Sequence, residues 1–297
     1  MTHMFNLNSY LEGHIARINQ ALDQRLPPET ERPVILHQAM RYSVFAGGKR
    51  LRPVLCLAAA EAVGGLQDNA LLPALALEIL HTYTLIHDDL PCMDDDDLRR
   101  GRPTSHKVFG EANALLAGDA LLTLAFEWLG QAEPPPPYRP AQLVSELAIA
   151  AGSRGVVGGQ VEDLAAEGGD VDADRVDYIH RHKTGALLRA SVRMGAMAAG
   201  ATRPQLESLT RYGESIGLAF QIADDILNET STAEQLGKAV GSDRERGKMT
   251  YVAVHGMDKA QADACRLVDE AIAALQTLPG DRQPLESLAR FMTERRK

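Results

Sequence analysis

Apolar positions along this chain recur at helical spacing, and almost nowhere alternate as they would in a strand. The first amphipathic stretch runs from about Phe5 to Arg25 and is closed by Pro27-Pro28. A second starts near Pro33, a residue suited to a first helical turn. It turns Ile35, Leu36, Ala39, Met40 and Val44 inward and ends at Gly47-Gly48. A small-residue helix from Val54 to Val63 is stopped by Gly64-Gly65, and Asp68 is placed to cap the next, which runs up to Asp88. From about Val108 to Leu129 the pattern is apolar nearly all round, which predicts a buried helix. PPPPYRP, residues 134 to 140, is a loop, because Pro blocks helix interiors. The helices flanking it are too apolar to bury themselves separately, so it does not divide the chain. Further helices are expected over Ala141 to about Glu167, interrupted near Gly158-Gly159, then Asp174 to Ala199, and Arg203 or Pro204 to about Leu227. Residues 228 to 248 read as loop, and helices over Thr250 to His255, Asp258 to Thr277 and from Pro284 finish the chain. The pattern predicts one all-α domain spanning residues 1–297, a bundle of about ten mostly antiparallel helices around a central cavity.

Composition narrows the picture. The apolar fraction of 45% supports a sizeable core, and aromatics are only 5%. A net charge of -9 argues against a nucleic-acid partner. Cys56, Cys92 and Cys265 stand far apart without a CxxC spacing, which suits a reducing compartment better than a zinc site or a disulfide framework. The N-terminus has no basic stretch followed by an apolar one, and no run of about 18 apolar residues is evident. The expectation is a cytoplasmic protein without a membrane span.

The chemistry-bearing stretch is LHTYTLIHDDLPCMDDDDLRRGRPT, Leu80 to Thr104. An apolar helical approach ends in Asp88-Asp89, Pro91 interrupts it, and Asp94 to Asp97 and Arg99-Arg100 follow. Carboxylates this dense repel one another unless they share a hard cation. Mg²⁺ takes oxygen ligands and keeps phosphate oxygens in its shell, and a guanidinium forks onto the same phosphate. An acidic run is ordinarily a solvated loop, and Asp95, Asp96 and Asp97 fit that description. A calcium loop starting at Asp94 fails, because Leu98 and Arg99 stand where an oxygen ligand and a Gly are required.

Three other segments bear on this one. GGKRLRP, Gly47 to Pro53, places Lys49, Arg50 and Arg52 at a helix entrance; with no strand before it, it is not a P-loop. FQIADDILN, Phe220 to Asn228, sets Asp224-Asp225 on an apolar helix with Gln221 on the same face and Asn228 one turn on, where an acid pair is costly unless it faces a cation or a polar cavity. HRHKTGALL, His180 to Leu188, puts Lys183 and Thr184 together at a bend, while Lys238 and Lys248 add cations after the second acid pair. Taken singly, each has a bland reading: a helix cap with solvated basic residues, a polar stripe, a kink with surface lysines.

In order, GGKRLRP, HTYTLIHDDLPCMDDDDLRRGRPTSH, FGEANALLAGDAL, GGQ at 158–160, HKTGALL, FQIADDIL, LGK and GKMTY resemble the trans-isoprenyl diphosphate synthases over nearly the whole chain. The match is to the bacterial short-chain farnesyl type. The resemblance implies a homodimer with two acid-rich helices facing each other across a pocket. It implies Mg²⁺ as the cofactor, about three per site with diphosphate bound and with Mn²⁺ as a substitute. The implied substrates are isopentenyl diphosphate and an allylic diphosphate. The implied reaction ionises the allylic diphosphate, lets the isopentenyl double bond attack, and releases a proton to the departed diphosphate.

Carried over residue by residue, Asp88 and Asp94 match metal-binding acids of the first motif with Asp89 supporting, and Asp224 matches that of the second with Asp225 beside it, so that Asp88, Asp89, Asp94, Asp224 and Asp225 are the expected metal set. Arg99, Lys183, Thr184, Gln221, Lys238 and Lys248 match allylic-diphosphate contacts. Lys49, Arg52, His81 and Arg100 match isopentenyl-diphosphate contacts. Asp88, Asp94, Asp224, Lys183 and Arg99 are the expected catalytic set. Tyr83 and Thr84, five and four positions before Asp88, fall on the wall of the expected product channel. A bulky Tyr83 together with the Pro91-Cys92 expansion resembles farnesyl synthases, which implies a fifteen-carbon product, with geranylgeranyl diphosphate as the alternative. The last acid of the second motif is replaced by Asn228 and Ala223 stands where a polar residue is common, so a lower Mg²⁺ affinity is expected. A terpene cyclase shares the acid motifs but needs no second diphosphate site, against which GGKRLRP and His81 speak. A silent partner subunit lacks a motif, and here both acid motifs are present.

Overall fold

The computed structural model describes residues 5–166, 168, 172–230 and 249–294. The expected all-α architecture is the one observed. Helices α1 (Leu7–Arg25), α2 (Val34–Val44), α3 (Leu51–Ala62) and α4 (Gln67–Asp88) lead to a two-residue ribbon, β1 (Leu98–Arg99) antiparallel to β2 (Arg102–Pro103). Then follow α5 (Ser105–Phe109), α6 (Glu111–Gly130), α7 (Pro140–Ala151), α8 (Val156–Ala166), α9 (Ala173–Ile179), a π-helical turn (His180–Gly185) and α10 (Ala186–Ala198). The long α11 (Arg203–Thr230) precedes α12 (Tyr251–His255), α13 (Met257–Ala274), a 3₁₀ turn and α14 (Gln283–Glu294).

Four local differences from the sequence reading have plain causes. Asp68 sits inside the first turn of α4, where a carboxylate complements the helix dipole, and pairs with Arg17 of α1 instead of capping; Leu66 occupies the cap position. The single helix expected over 108–129 is two, broken where Gly110 takes a left-handed φ of 82°. The break expected at Gly158-Gly159 lies at 152–155, ahead of α8. Helix α11 runs on to Thr230, past Leu227, because Asn228, Glu229 and Thr230 are tolerated in an exposed last turn.

One contiguous apolar core draws on residues from Leu11 in α1 to Met292 in α14. Helix α10 packs against α3, α4, α7 and α11, and α4 packs on α3 and α6. The polar C-terminal end of α4 and the acid-bearing stretch of α11 line one cavity. Helix α6 departs from the expectation of full burial: Leu115 and Leu116 are 45% and 54% exposed. Neither α4 nor α6 is an unbroken apolar run, yet by length and mean hydropathy both are apolar enough to cross a bilayer. Two-thirds of the apolar window of α4 is buried within the fold, and a core helix satisfies the same criterion.

Candidate active site

The first acid motif is shaped by the end of α4. After Asp89 the chain folds back so that the Asp94 N–H donates to the Asp88 carbonyl at 2.8 Å, and the Asp95 N–H to that of Leu90 at 3.1 Å. This return brings Asp94 beside Asp88. A cavity of about 250 Å³ is lined by Asp88, Asp94, Arg99, Asp163, Lys183, Thr184, Gln221, Asp224 and Asp225 among others. Both acid motifs, the Lys183-Thr184 pair and Arg99 therefore share one space, as the sequence pattern required. Asp97 lies outside it, 73% exposed and paired with Lys107 at 2.6 Å, in keeping with the solvated reading of the run's end.

Charge in the cavity is arranged around Asp88. Burial and the neighbouring Asp94 and Asp89 raise its carboxyl to about 6, against the pull of Lys183 and Arg99. Lys183 is raised, because Asp163, Asp88 and Asp94 together outweigh its desolvation. Its Nζ donates to Asp163 Oδ2 at 2.5 Å. Thr184 donates to Gln221 Oε1 at 2.8 Å, tying the π turn to α11.

The two members of each acid pair part company. Asp88 is half-buried and Asp224 exposed on the cavity, whereas Asp89 and Asp225 are buried. Asp89 Oδ1 accepts from Arg99 Nε at 2.9 Å and from Arg99 Nη2. Asp225 Oδ2 accepts the Tyr251 N–H at 2.6 Å and lies 3.3 Å from His180 Nε2.

A second cationic group gathers around His81 on α4. The Arg100-Gly101 turn of the ribbon has φ of 54° and 75°, and it carries Arg100 onto the Gly47 carbonyl. Gly48 has a φ of +119°, which is strained for any residue with a Cβ, and a Cβ there would also push against the Arg100 guanidinium. His81 is held well below its ordinary value by burial and by Arg52, Arg100, Arg99 and Arg50, so it is neutral. Burial, helped by Arg100, pushes Arg52 down to about 10. Its Nε is buried with no hydrogen-bond partner among the described residues. Lys49 reaches over the Phe291 ring at 5.5 Å. Guanidinium groups gathered with an unmatched donor are what an anion would satisfy.

Tyr83 is buried on α4 with its ring edge-on to His87 at 5.5 Å, and Thr84 donates back to the His81 carbonyl at 2.8 Å. Lys238 and Lys248 lie outside the described residues. The sequence reading missed Asp163, three positions after Gln160 of the GGQ motif and so close to its helical face, and His180, which opens the HRHKTG motif. It also missed Glu78, one turn before His81, whose carboxylate accepts from the buried Arg50 at 2.6 Å.

The sequence pattern of the polyprenyl synthetase family matches residues 33–282. The chain belongs to that family. Geranylgeranyl pyrophosphate synthase 4 of Arabidopsis thaliana is 46% identical over 295 residues, covering 98% of this chain and 78% of the plant protein. A heterodimeric geranylgeranyl pyrophosphate synthase large subunit 1, chloroplastic, of the same plant is also 46% identical, covering 98% and 80%. The crystal structure of an FPP/GFPP synthase from Zymomonas mobilis superposes with a TM-score of 0.86 at 39% identity, covering 97% of this chain and 99% of that one. This polyprenyl synthetase is a prenyltransferase. The curated relatives carry the twenty-carbon product in their names, whereas the sequence reading favoured fifteen carbons.

Proposed function

We propose that this polyprenyl synthetase condenses isopentenyl diphosphate head to tail with an allylic diphosphate. The observation that carries the reading is the pairing of a carboxylate-and-lysine cavity with a separate arginine-and-histidine group at one end of α4. One reactant has a diphosphate to lose and the other a diphosphate to keep, and the two sites differ accordingly. Asp88, Asp94 and Asp224 would hold Mg²⁺, since all three line one polar cavity and Asp88, raised chiefly by burial, gains from a cation beside it; among the described residues they do not already form a closed three-acid cluster. Mg²⁺ bound there supplies charge stabilisation for a departing diphosphate.

The chain's own groups do the rest. Lys183, Thr184, Gln221 and Arg99 orient the allylic diphosphate, with Asp163 holding Lys183 in place until the substrate arrives. Arg52, Lys49 and Arg100 hold the isopentenyl diphosphate, and neutral His81 offers it a hydrogen bond. The C1–O bond of the allylic partner breaks, a C–C bond forms to the isopentenyl double bond, and a proton passes to the released diphosphate. Fixed positioning and exclusion of water make this possible without a protein nucleophile. Lys238 and Lys248 complete the allylic contacts in this reading.

For product length, the 46% identity to geranylgeranyl synthases supports a twenty-carbon product. A fifteen-carbon product is the second reading, favoured by the buried ring of Tyr83 on the helix that ends in Asp88. The whole chain acts as one catalytic unit, and two copies associate through the exposed face of α6. Labelled isopentenyl diphosphate with dimethylallyl, geranyl or farnesyl diphosphate, followed by chromatography of the dephosphorylated products, tests the reaction and its stopping point together. A cyclic hydrocarbon formed from farnesyl diphosphate alone, with no label incorporated, overturns the synthase reading.

A further inference from the structure

Helix α11 and the π turn meet along three rungs. The Cα of Gly185 would lie 2.8 Å from a Cβ placed on Gly217, so Gly217 lets the two backbones touch. Four residues on, Gln221 accepts from Thr184 at 2.8 Å. Four residues further, Asp225 lies 3.3 Å from His180. The spacing 217, 221, 225 keeps one face of α11 toward the turn. The third rung is the most enclosed, with both side chains no more than 7% exposed. Asp225 Oδ2 also takes the Tyr251 N–H at 2.6 Å, at the first residue of α12. The ring of Tyr251 stacks over His180 with centroids 6.3 Å apart and an interplanar angle of 23°, closing a triangle.

We propose that Asp225 is a positioning residue and not a metal ligand: it joins α11, the π turn bearing Lys183 and Thr184, and the start of α12 into one rigid wall. This rests on the diphosphate-site reading above. The argument is one of competition. A carboxylate oxygen that already accepts a short backbone N–H bond and faces a buried imidazole would have to break a closed set of contacts to reach a cation. Asp224, on the adjacent position, lies exposed on the same cavity, whereas Asp225 is buried. Both acids stand in the metal set that the resemblance implies; burial separates them. The consequence for diphosphate binding runs through the backbone, because His180 and Lys183 belong to the same six-residue turn.

The test compares Asp224→Asn, Asp225→Asn, His180→Phe and the double variant Asp225→Asn/His180→Phe in the full-length protein. His180→Phe keeps the ring over Tyr251 and removes only the bond to Asp225. Thermal melting in EDTA is read first, without reference to activity. Asp225→Asn and His180→Phe should each melt lower than the parent, and by more than Asp224→Asn, whose side chain is exposed. Calorimetry with inorganic diphosphate across a Mg²⁺ titration is read second. Asp225→Asn and His180→Phe should weaken diphosphate binding at saturating Mg²⁺ by roughly tenfold, with the half-saturating Mg²⁺ concentration moved by less than about twofold, and the double variant should be no worse than either single one. Asp224→Asn should instead raise the Mg²⁺ requirement. The assignment is overturned if Asp225→Asn shifts the Mg²⁺ titration as Asp224→Asn does, or leaves the EDTA melt unchanged. It is also overturned if the melt falls while diphosphate affinity at saturating Mg²⁺ stays at the parental value. If the parent itself binds no diphosphate with Mg²⁺, the diphosphate-site reading fails, and the EDTA melts still report on the Asp225 contacts.

Discussion

At the scale of single residues, Asp88 shows function and stability in opposition. Its carboxyl is raised to about 6, chiefly by burial. A carboxyl whose folded value lies above its unfolded one binds more protons in the native state, so it takes stability away as pH climbs between the two values. In metal-free protein the cost is absent near pH 4 and complete above about pH 7. Asp88→Asn should therefore stabilise the metal-free protein at pH 7 by about 1–3 kcal/mol and leave it nearly unchanged at pH 4, as measured by denaturant unfolding at both pH values. A variant no more stable at pH 7 than its parent would remove the basis for treating Asp88 as a strained, cation-seeking group. Activity should move the other way. Asp88→Ala and Asp224→Ala should each lower kcat on the order of 10³-fold or more, because charge stabilisation of the leaving group is lost, and near-normal turnover in either would sink its assignment. Tyr83 tests the product channel. Tyr83→Ala should lengthen the product by at least one five-carbon unit relative to the parent, with a stability loss of about 2–4 kcal/mol from the cavity left behind. An unchanged product distribution would place the floor of the channel elsewhere.

At the scale of elements, the connection between α2 and α3 shows where one ion pair holds two. Arg50 has a left-handed φ of 49° and is buried; its Nη1 donates to Glu78 at 2.6 Å, its Nη2 to the Val44 carbonyl at 2.6 Å and its Nε to Asn19 at 3.0 Å. It thereby fastens Lys49 and the first turn of α3, which carries Arg52, to α4, one turn from His81. Arg50→Met should cost about 3–5 kcal/mol, since it strands a buried carboxylate, and Arg50→Met with Glu78→Leu should recover most of that loss. The KM for isopentenyl diphosphate should rise more than that for the allylic substrate; equal changes would mean that the pair stabilises the fold without placing the site. Much of this level was legible beforehand. The helices and the dense acid runs follow from local pattern, because a helical period and a charge run are readable within a short window, whereas a role for GGKRLRP comes only from its place in the ordered set of motifs. The π turn was visible only as a bend, since its extra residue per turn has no fixed pattern of its own. The Arg50–Glu78 pair is 28 residues apart in sequence and the Asp225–Tyr251 bond 26, so neither could be read from spacing along one helix. The difference between Asp224 and Asp225 is likewise a matter of which face is covered, and that is decided by α12 and the π turn, not by the motif.

At the scale of the whole molecule, the expectation that α6 is buried fails in an informative way. Leu115 and Leu116 on α6, Ile149 on α7, and Val157 and Val161 on α8 are each at least 43% exposed, and these helices are neighbours in contact order, α6 with α7 and α7 with α8. An apolar surface of that kind on a folded chain is ordinarily covered by another chain. A second copy of the same chain is the simplest occupant, because a twofold axis lets one patch meet itself. Sedimentation of the purified protein alone should give a dimer, since a stable association of this kind buries on the order of 1,200–2,000 Å². Leu116→Glu, with a charge at the most exposed of the two α6 leucines, should shift it to monomer at micromolar concentration while leaving the helical circular dichroism spectrum intact. A parent that sediments as a monomer would overturn self-association. A dimer that survives Leu116→Glu combined with Val161→Glu would place the interface on some other face.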